Sequence, residues 1–311
     1  MADSVQFNRA ASLLLVGSGE KGLDLSKMRF TFKTVQCDEE SPNNAEIRIY
    51  NLKPETVKNI KAEYQRVVLQ AGYETAIGVI FDGTIKQFRE GKESNIDSYI
   101  DILVADGDLA YNWAVVNKTL EVGTTSQERV LAALDAMKAQ GATEGYLAPF
   151  TGGALPRGKV LFGLARGIMR AETENLGATW NIENGAVNIV PLSGYKPGTA
   201  VVLNAATGLI GRPEQTDNGV QVRCLLNPRI TVGNLIKIDN KAVNLTINAK
   251  GTPAGTTYNS YTAIQNLASI TTDGLYRVYV AEHHGDTWGN DWFTDIVALA
   301  IDTDTMKVRE P

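Results

Sequence analysis

The chain has 311 residues, of which 43% are hydrophobic and 21% charged, and its formal net charge is −5. A chain of this length and composition can form two or three globular domains with hydrophobic cores. Its mildly acidic balance provides no large basic surface, which argues against nucleic-acid binding as the main function.

The sequence shows neither a membrane segment nor a signal-peptide pattern at its N-terminus. The apolar run at residues 13–16 is far too short to cross a bilayer. Cys37 and Cys224 have no CxxC or metal-type spacing, so they are interpreted as reduced, buried thiols. We therefore expect a soluble protein that is made in a cytoplasm.

Residues 1–112 are predicted to form a first β-domain. Residues 29–35 and 46–50 alternate polar and apolar side chains, which is typical of half-buried strands. A short helix is expected to start at Pro54, and a strand to follow at residues 67–70. A hairpin of residues 84–88 and 99–104 then closes the domain.

Residues 113–198 are predicted to be a small α+β domain. Thr125 and Glu128 have the spacing of a capping box, which starts an amphipathic helix over residues 126–140. A second helix is predicted over residues 160–175. The Asn-Gly pair at residues 184–185 predicts a hairpin of residues 178–182 and 186–190.

Residues 199–311 are predicted to form a second β-domain. Strands are expected at residues 220–224 and 235–238, followed by a hairpin of residues 275–280 and 293–299. Residues 240–273 are rich in Thr, Asn, Gly and Ser, which indicates an inserted surface loop with a short helix near residues 263–268.

The two β-domains look like copies of one unit. Each hairpin opens at a glycine, Gly83 or Gly274, and its return strand begins with an aromatic-x-Asp-Ile string. The glycine-to-aromatic spacings are 16 and 19 residues, which predicts a second turn three residues longer. Residues 46–50 align with residues 220–224. A fold of this kind is α+β and mostly β, with two duplicated antiparallel units around a small middle domain.

Few residues in the sequence suggest chemistry. GALPRGK at residues 153–159 matches the core of a phosphate-binding loop, but Val160 follows where Ser or Thr should hold the metal, and Pro156 lacks an N–H donor. A loop between two helices is the interpretation we adopt. His283 and His284 are the only histidines, and neighbours on a strand point to opposite faces, which suits a hairpin tip better than a metal site. No metal, cofactor or catalytic residue is predicted.

Two functions of other classes stay open at this point. The aromatic residues around the second hairpin could stack on sugars, with Trp288 and Trp292 as the platform of a carbohydrate-binding module. Core or interface packing is the commoner role for such residues at strand spacing. A hydrolase built on His283 or His284 is the other alternative.

Several strings resemble one family in order and spacing. AEIRIYNL at residues 45–52, LQAGY at 69–73 and IFDGTI at 80–85 resemble the first domain of contractile-phage tail baseplate hub proteins. TGLIGRP at residues 207–213 and LLNP at 225–228 resemble the second such domain. The chain thus resembles, over most of residues 30–305, the late-control gene D and VgrG-type hub family in its short form.

That resemblance implies a structural protein that is not an enzyme. Family members form homotrimers in which each chain gives two tube-type β-barrel domains, so that the trimer is a pseudo-hexameric ring between a sixfold tail tube and a trimeric central spike. Expected partners are therefore the chain itself, tail-tube or tube-initiator proteins, the spike and other baseplate proteins. DNA would pass through the lumen without specific binding, and a mildly acidic wall would repel it.

The resemblance also implies where the protein is located and which domains it contains. We expect a virion protein of the tail baseplate, assembled in the host cytoplasm, without stable membrane insertion and without a fused spike or lysozyme domain. A hub of a non-contractile tail, a tailocin or a secretion injector remains an alternative. The hairpins expected to form the ring contribute Thr84, Ile85, Phe88, Tyr99, Ile102, Val104, Tyr276, Val278, Val280, Phe293, Val297 and Leu299.

Overall fold

The computed structural model describes residues 6–17, 21–149, 152–216, 219–238, 274–302 and 307–308. Four α-helices lie among them: α1 (Pro54–Glu63), α2 (Asp108–Trp113), α3 (Ser126–Lys138) and α4 (Ala165–Asn175). Within these ranges, no helix combines the length and apolar character needed to cross a membrane.

Strands make up most of the described chain. The first β-rich part contains β1 (Arg9–Gly17), β2 (Gly22–Asp24), β3 (Phe30–Cys37), β4 (Asn44–Tyr50), β5 (Tyr64–Tyr73), β6 (Ala76–Lys92) and β7 (Ser98–Ala105). The middle part contains β8 (Val115–Leu120), β9 (Thr143–Leu147), β10 (Lys159–Leu164), β11 (Ala178–Glu183) and β12 (Ala186–Pro191). The last part contains β13 (Val201–Leu203), β14 (Leu209–Thr216), β15 (Gly219–Leu225), β16 (Leu235–Ile238), β17 (Leu275–Asp286), β18 (Trp292–Asp302) and β19 (Lys307–Val308).

One large sheet runs through both β-rich parts. Its order is β14-β15-β18-β17-β3-β4-β7-β6-β5-β1-β2, with β16 also paired to β17. Five strands therefore follow the same order in each part: β3-β4-β7-β6-β5 in the first and β14-β15-β18-β17-β16 in the second. Nearly all pairs are antiparallel, as the sequence predicts; β13–β16 and β12–β9 are parallel.

The registers show which residues of the two parts are equivalent. β6 has an extra residue, Lys86, where its pairing with β7 shifts, and β17 has Tyr279 at the corresponding shift against β18. These bulges place Thr84 in the position of Arg277. Gly83 and Gly274 are therefore not equivalent, and the sequence alignment that starts from them is wrong.

The hairpin turns differ less than the glycine alignment predicts. The last registered pairs are Lys92–Ser98 and Gly285–Trp292, which enclose residues 93–97 and 286–291. The second turn is thus one residue longer, not three. The strands of both hairpins also extend beyond their predicted ends. Backbone pairing continues through polar residues that the hydrophobic pattern does not assign to a strand.

Three large hydrophobic clusters lie under the sheets. In β3 the inward residues are Phe30, Phe32, Thr34 and Gln36, which alternate with more exposed ones. The first cluster gathers the apolar residues of β1 and β3–β7 and also takes in Leu226 and Trp292 from the last part of the chain. A second cluster lies wholly in the middle part, and a third under β14–β18. The first core is therefore completed by side chains from both β-rich parts.

The middle part confirms two predictions and corrects one. Thr125 and Glu128 form the reciprocal hydrogen bonds of a capping box at the start of α3. Asn184 and Gly185 have φ angles of 52° and 79°, which a two-residue turn between β11 and β12 requires. Residues 159–164, however, form strand β10, which pairs with β8, and the helix begins only at Ala165.

The N-terminal region also differs from expectation. Residues 9–17 form β1, which pairs along its length with β5, although the sequence there shows little periodicity. The predicted insertion at residues 240–273, including its helix near residues 263–268, lies outside the described residues.

Buried polar contacts attach the middle part to both β-rich parts. Asp38, which follows β3, forms an ion pair with Arg277 of β17, and both side chains are 2% exposed. Arg277 also donates to carbonyl oxygens of residues 191, 192 and 194 at 2.9–3.1 Å. Asp38 Oδ1 accepts from Asn181 Nδ2 of β11 at 2.9 Å. These contacts connect the end of β3, the β11–β12 region and β17.

Asp106 makes a second buried attachment. It follows β7 and accepts hydrogen bonds from the backbone N–H groups of Asn184 at 2.5 Å and Gly185 at 2.8 Å. Burial raises the pKa of its carboxyl to about 8, although these two hydrogen bonds oppose that shift. The turn between β11 and β12 is thereby fixed against the end of the first hairpin.

Candidate functional site

One face of the large sheet points away from the hydrophobic cores, and we call it the outward face. Residues directly opposite each other in a sheet share a face, so the registers define its members. Its charged and polar residues in β3, β4, β6, β7, β14, β15, β17 and β18 include Lys33, Glu46, Arg48, Arg89, Asp101, Glu214, Arg223, Glu282, His284 and Asp295.

Arg48 and Asp101 form the best-buried ion pair of this face. Arg48 Nε and Nη2 donate to the two carboxylate oxygens of Asp101 at 2.7 and 3.0 Å. The Arg48 guanidinium also lies 3.9 Å from the centre of the Tyr99 ring. A planar guanidinium can make both contacts at once, which fixes the side chains of three residues across β4 and β7.

The same arrangement occurs in the last part of the chain. Arg223 Nε and Nη2 donate to the carboxylate of Asp295 at 2.6 and 2.8 Å, and the guanidinium lies 4.1 Å from the Phe293 ring centre. Arg223 is thus equivalent to Arg48, which moves the predicted alignment of residues 46–50 with 220–224 by one position. The aromatic-x-Asp strings are evident in the sequence, whereas the two arginines become equivalent only when residues 46–50 are aligned with residues 221–225.

Charge contacts continue across the boundary between the two β-rich parts. Lys33 Nζ of β3 lies 3.0 Å from Glu282 Oε2 of β17. His284 Nε2 lies 3.4 Å from the same Glu282 oxygen and 3.9 Å from Asp295 Oδ2, and its ring stacks on Phe293 at 4.8 Å. Acidic and basic groups therefore neighbour each other along the face, which gives no extended basic surface.

His283 and His284 have separate environments. Both lie within β17 rather than at a hairpin tip, so that expectation is wrong, and their side chains point to opposite faces. His283 is 1% exposed and its Nδ1 lies 2.9 Å from Thr294 Oγ1; burial lowers its pKa to about 4. In the described part of the chain, no group of three or more His, Cys, Asp or Glu side chains is placed to hold a metal ion.

The chain resembles known proteins in structure rather than in sequence. No protein-family model and no curated protein sequence matches the chain. It is similar to the 43 kDa tail protein of prophage MuSo2 from Shewanella oneidensis, with a TM-score of 0.58 and 9% identity over 96% of this chain and 99% of that one. A tail protein from Neisseria meningitidis gives 0.58 and 8% identity over 94% and 96%.

A third similar structure comes from a secretion system. The E. coli c3393 protein is a component of the type VI secretion system with structural similarity to the T4 bacteriophage tail proteins gp27 and gp5. It gives a TM-score of 0.55 and 11% identity over 91% of this chain and 76% of that one. The chain has the fold of these tail and secretion-system proteins.

The twelve residues predicted to form a ring lie on both faces of the hairpins. Four are buried on the core side: Ile102, Val104, Tyr276 and Val278. Ile85 and Phe88 pack beside the first core, opposite Val104 and Ile102. Four lie on the outward face: Tyr99, Val280, Phe293 and Val297. Thr84 pairs with both neighbours of β6, and Leu299 packs near Leu235 and Ile301. Their role in a ring stays a prediction.

The aromatic residues of the second hairpin do not form one platform. Trp292 is 2% exposed, packs edge-on against Phe32 at 5.6 Å, and donates from Nε1 to the Gly72 carbonyl at 3.1 Å. Trp288 is 75% exposed. A sugar ring cannot reach Trp292, so the predicted pair of stacking tryptophans is wrong.

The glycine-rich segment at residues 153–159 leads into strand β10. It follows β9 rather than a helix, so the expected loop between two helices is wrong. It also does not open a helix, whose N-terminus a phosphate-binding loop requires.

Apolar side chains are exposed at the end of α2 and along β10. Trp113, Val160 and Phe162 are 67%, 64% and 76% exposed. Exposed apolar groups in such a cluster are typical of a protein contact.

Proposed function

We propose that this chain is a baseplate hub protein of a phage tail. Three copies would form a pseudo-hexameric ring that joins a sixfold tail tube to a trimeric central spike. The observation that carries the proposal is the strand order β3-β4-β7-β6-β5, which recurs as β14-β15-β18-β17-β16 with an equivalent Arg–Asp–aromatic cluster. Two such units in each of three chains give six. The similarity to tail proteins of matching length supports this reading.

The proposal includes a division into three domains. Residues 1–112 and 199–311 would be tube-type β-barrel domains, and residues 113–198 a middle domain outside the ring. The separate hydrophobic cluster of the middle part supports its independence. Its exposed surface around Trp113 and Phe162 would contact other baseplate proteins, since burial there would remove apolar area from water.

The outward face is proposed to line the lumen. A wall that carries DNA must neither bind phosphate strongly nor present a hydrophobic surface. The paired charges of Arg48 with Asp101 and of Lys33 with Glu282 support the first condition, because each guanidinium or ammonium group is already neutralised by a carboxylate, and they keep this part of the face polar. No specific DNA binding, enzymatic activity or cofactor is part of the proposal.

A hub of a secretion injector is the second candidate. The similarity to the type VI secretion component c3393 favours it, because that protein has the same fold. In that case the particle would sit in an injector rather than in a virion.

The ring can be tested on the purified chain. Light scattering gives the mass of the particle, and electron-microscope class averages of the same sample give its symmetry. We expect a threefold particle with a central hole, alone or after addition of the spike protein. A chain that remains monomeric with its spike present would contradict the proposal. Localisation of the chain by antibody in purified tails or injectors then separates the two candidates.

A further inference from the structure

In the described sheet, one strand pair, β17 with β3, joins the two β-rich parts. After the bulge at Tyr279, β17 leaves β16 and pairs with β3, from Val280 opposite Cys37 to Asp286 opposite Thr31. On β6, the equivalent stretch follows Lys86. It pairs with β7 on one side, and among the described residues no strand pairs with its other edge.

A second strand edge, that of β14, also has no partner within the described ranges. β14 occupies in the last part of the chain the position that β3 occupies in the first, next to β15 as β3 is next to β4. β3 pairs with β17 on its other side. β14 is the terminal strand of the described sheet, with β15 as its one partner there. As far as the described residues show, each copy of the chain thus has an unpaired β6 edge and an unpaired β14 edge.

We propose that β6 of one copy pairs with β14 of a second copy, antiparallel and in the register that β17 and β3 use within the chain. This inference rests on the proposed ring, because it names the contact between its chains. The bulges make Arg89 equivalent to Glu282, and the pairing of β14 with β15 makes Glu214 equivalent to Lys33. The register therefore brings Arg89 beside the partner's Glu214.

The charges of these residues fit that contact. Within the chain, Lys33 and Glu282 form a 3.0 Å ion pair across β3 and β17. Between chains, the position of Lys33 would be held by Glu214 and that of Glu282 by Arg89. The two side chains would still attract each other, with the charge at each position reversed. Both side chains are exposed, and neither has an ion-pair partner among the described residues of its own chain.

The reversed charges also disfavour wrong pairings. If the β6 edge met β3 of another copy, Arg89 would lie beside Lys33. If β17 met β14, Glu282 would lie beside Glu214. Both arrangements place like charges across a strand pair, which is unfavourable. The sign reversal therefore selects β6 with β14 and β17 with β3.

Cross-linking tests the register directly. The full-length chain carries Cys37→Ser, and Arg89→Cys and Glu214→Cys are added together. Burial raises the pKa of the Cys224 thiol to about 12, so it will not react. A bis-maleimide spanning about 8 Å matches diagonal neighbours on an antiparallel pair. We expect covalent dimers and trimers on a denaturing gel.

Two matched controls use the internal junction. Arg89→Cys with Lys33→Cys places the second thiol on a strand whose edges are already filled, and we expect no covalent oligomer. Lys33→Cys with Glu282→Cys should cross-link within one chain. A charge exchange adds an independent readout: Arg89→Glu should weaken self-association about fivefold, and Arg89→Glu with Glu214→Arg should restore it in sedimentation.

The outcomes separate this inference from the hub function. Covalent trimers with rescue by charge exchange would support both. A threefold ring without the Arg89–Glu214 cross-link would overturn the strand assignment and leave the hub function standing. A chain that stays monomeric and uncross-linked with its spike present would overturn both.

Discussion

Arg48 holds Asp101 through two hydrogen bonds of 2.7 and 3.0 Å across strands β4 and β7. Arg223 and Asp295 repeat this geometry across β15 and β18, yet the two pairs differ in burial. The Asp101 side chain is 8% exposed and that of Asp295 is 24% exposed, while their arginines are 31% and 50% exposed. The same contact is therefore better screened by water in the last part of the chain.

Neutralising each carboxylate should reveal this difference. Asp101→Asn should lower the free energy of unfolding by about 1–2 kcal/mol, because a partly buried guanidinium loses its charged acceptor. Asp295→Asn should cost less than about 1 kcal/mol, since water solvates the freed Arg223. Urea denaturation of both variants measures the two losses. Equal losses would show that burial does not set the strength of these pairs.

A charge on the core side of β7 should prevent folding. Ile102 is fully buried in the first core, so Ile102→Asp would place an unpaired carboxylate among apolar side chains at a cost of several kcal/mol. Leu103→Asp is the matched control. Leu103 is the next residue on the strand and lies on the outward face, where water reaches the carboxylate. Circular dichroism and gel filtration compare the two. A soluble, folded Ile102→Asp protein would contradict the assignment of this strand.

The stability of the protein should fall as the pH rises towards 8. Burial raises the pKa of Asp106 to about 8, so the folded state holds this proton more tightly than the unfolded chain does. Its contribution to stability is full below about pH 4 and is lost as the pH rises through the folded pKa. The expected slope is at most about 1.4 kcal/mol per pH unit.

Asp106→Asn separates this effect from other titrations. The amide cannot ionise, and its one oxygen can accept from either Asn184 or Gly185, so the variant loses one hydrogen bond and is compared with the parent by its pH slope rather than by its absolute stability. Melting temperatures from about pH 6.5 to 8.5 should fall in the parent protein and stay flatter in the variant. His283, whose pKa is lowered to about 4, loses its contribution only as the pH falls from about 6.5 towards 4, outside that range. Parallel curves for both proteins would remove Asp106 as the cause.

The two tryptophans of the second hairpin should respond differently to removal. Trp292→Ala deletes a buried ring, its contact with Phe32 and its hydrogen bond to Gly72, and should cost about 3–5 kcal/mol. Trp288→Ala should leave the unfolding free energy within about 0.5 kcal/mol, because that side chain is exposed. Thermal unfolding measures both. Glycan binding that disappears in Trp288→Ala would revive the carbohydrate-binding alternative.

Local sequence patterns predicted the elements whose cause is local. Alternation indicated β3 and β4, the capping box at Thr125 set the start of α3, and Asn184-Gly185 defined the β11–β12 turn. Each of these signals acts within a few residues. The mostly β, antiparallel character of the fold could be predicted from signals of this kind.

Features that depend on distant partners were missed. Val160, Leu161 and Leu164 have helical spacing, but pairing with β8 makes this segment a strand. β1 depends on β5, whose paired residues lie 47 to 64 positions later in the chain. Arg48 and Arg223 find their carboxylates 53 and 72 residues away, so no local pattern shows these pairs. The bulges at Lys86 and Tyr279 shifted the alignment for the same reason.

The junction of β17 with β3 joins two segments of a single polypeptide. It therefore forms when the chain folds, at any protein concentration, whereas a β6–β14 junction must form by collision between molecules. In a ring of three such chains, every second junction would be insensitive to dilution. Dilution should thus release intact pairs of β-units and never a lone unit, and the ring should contain half as many intermolecular junctions as a ring of six separate proteins would.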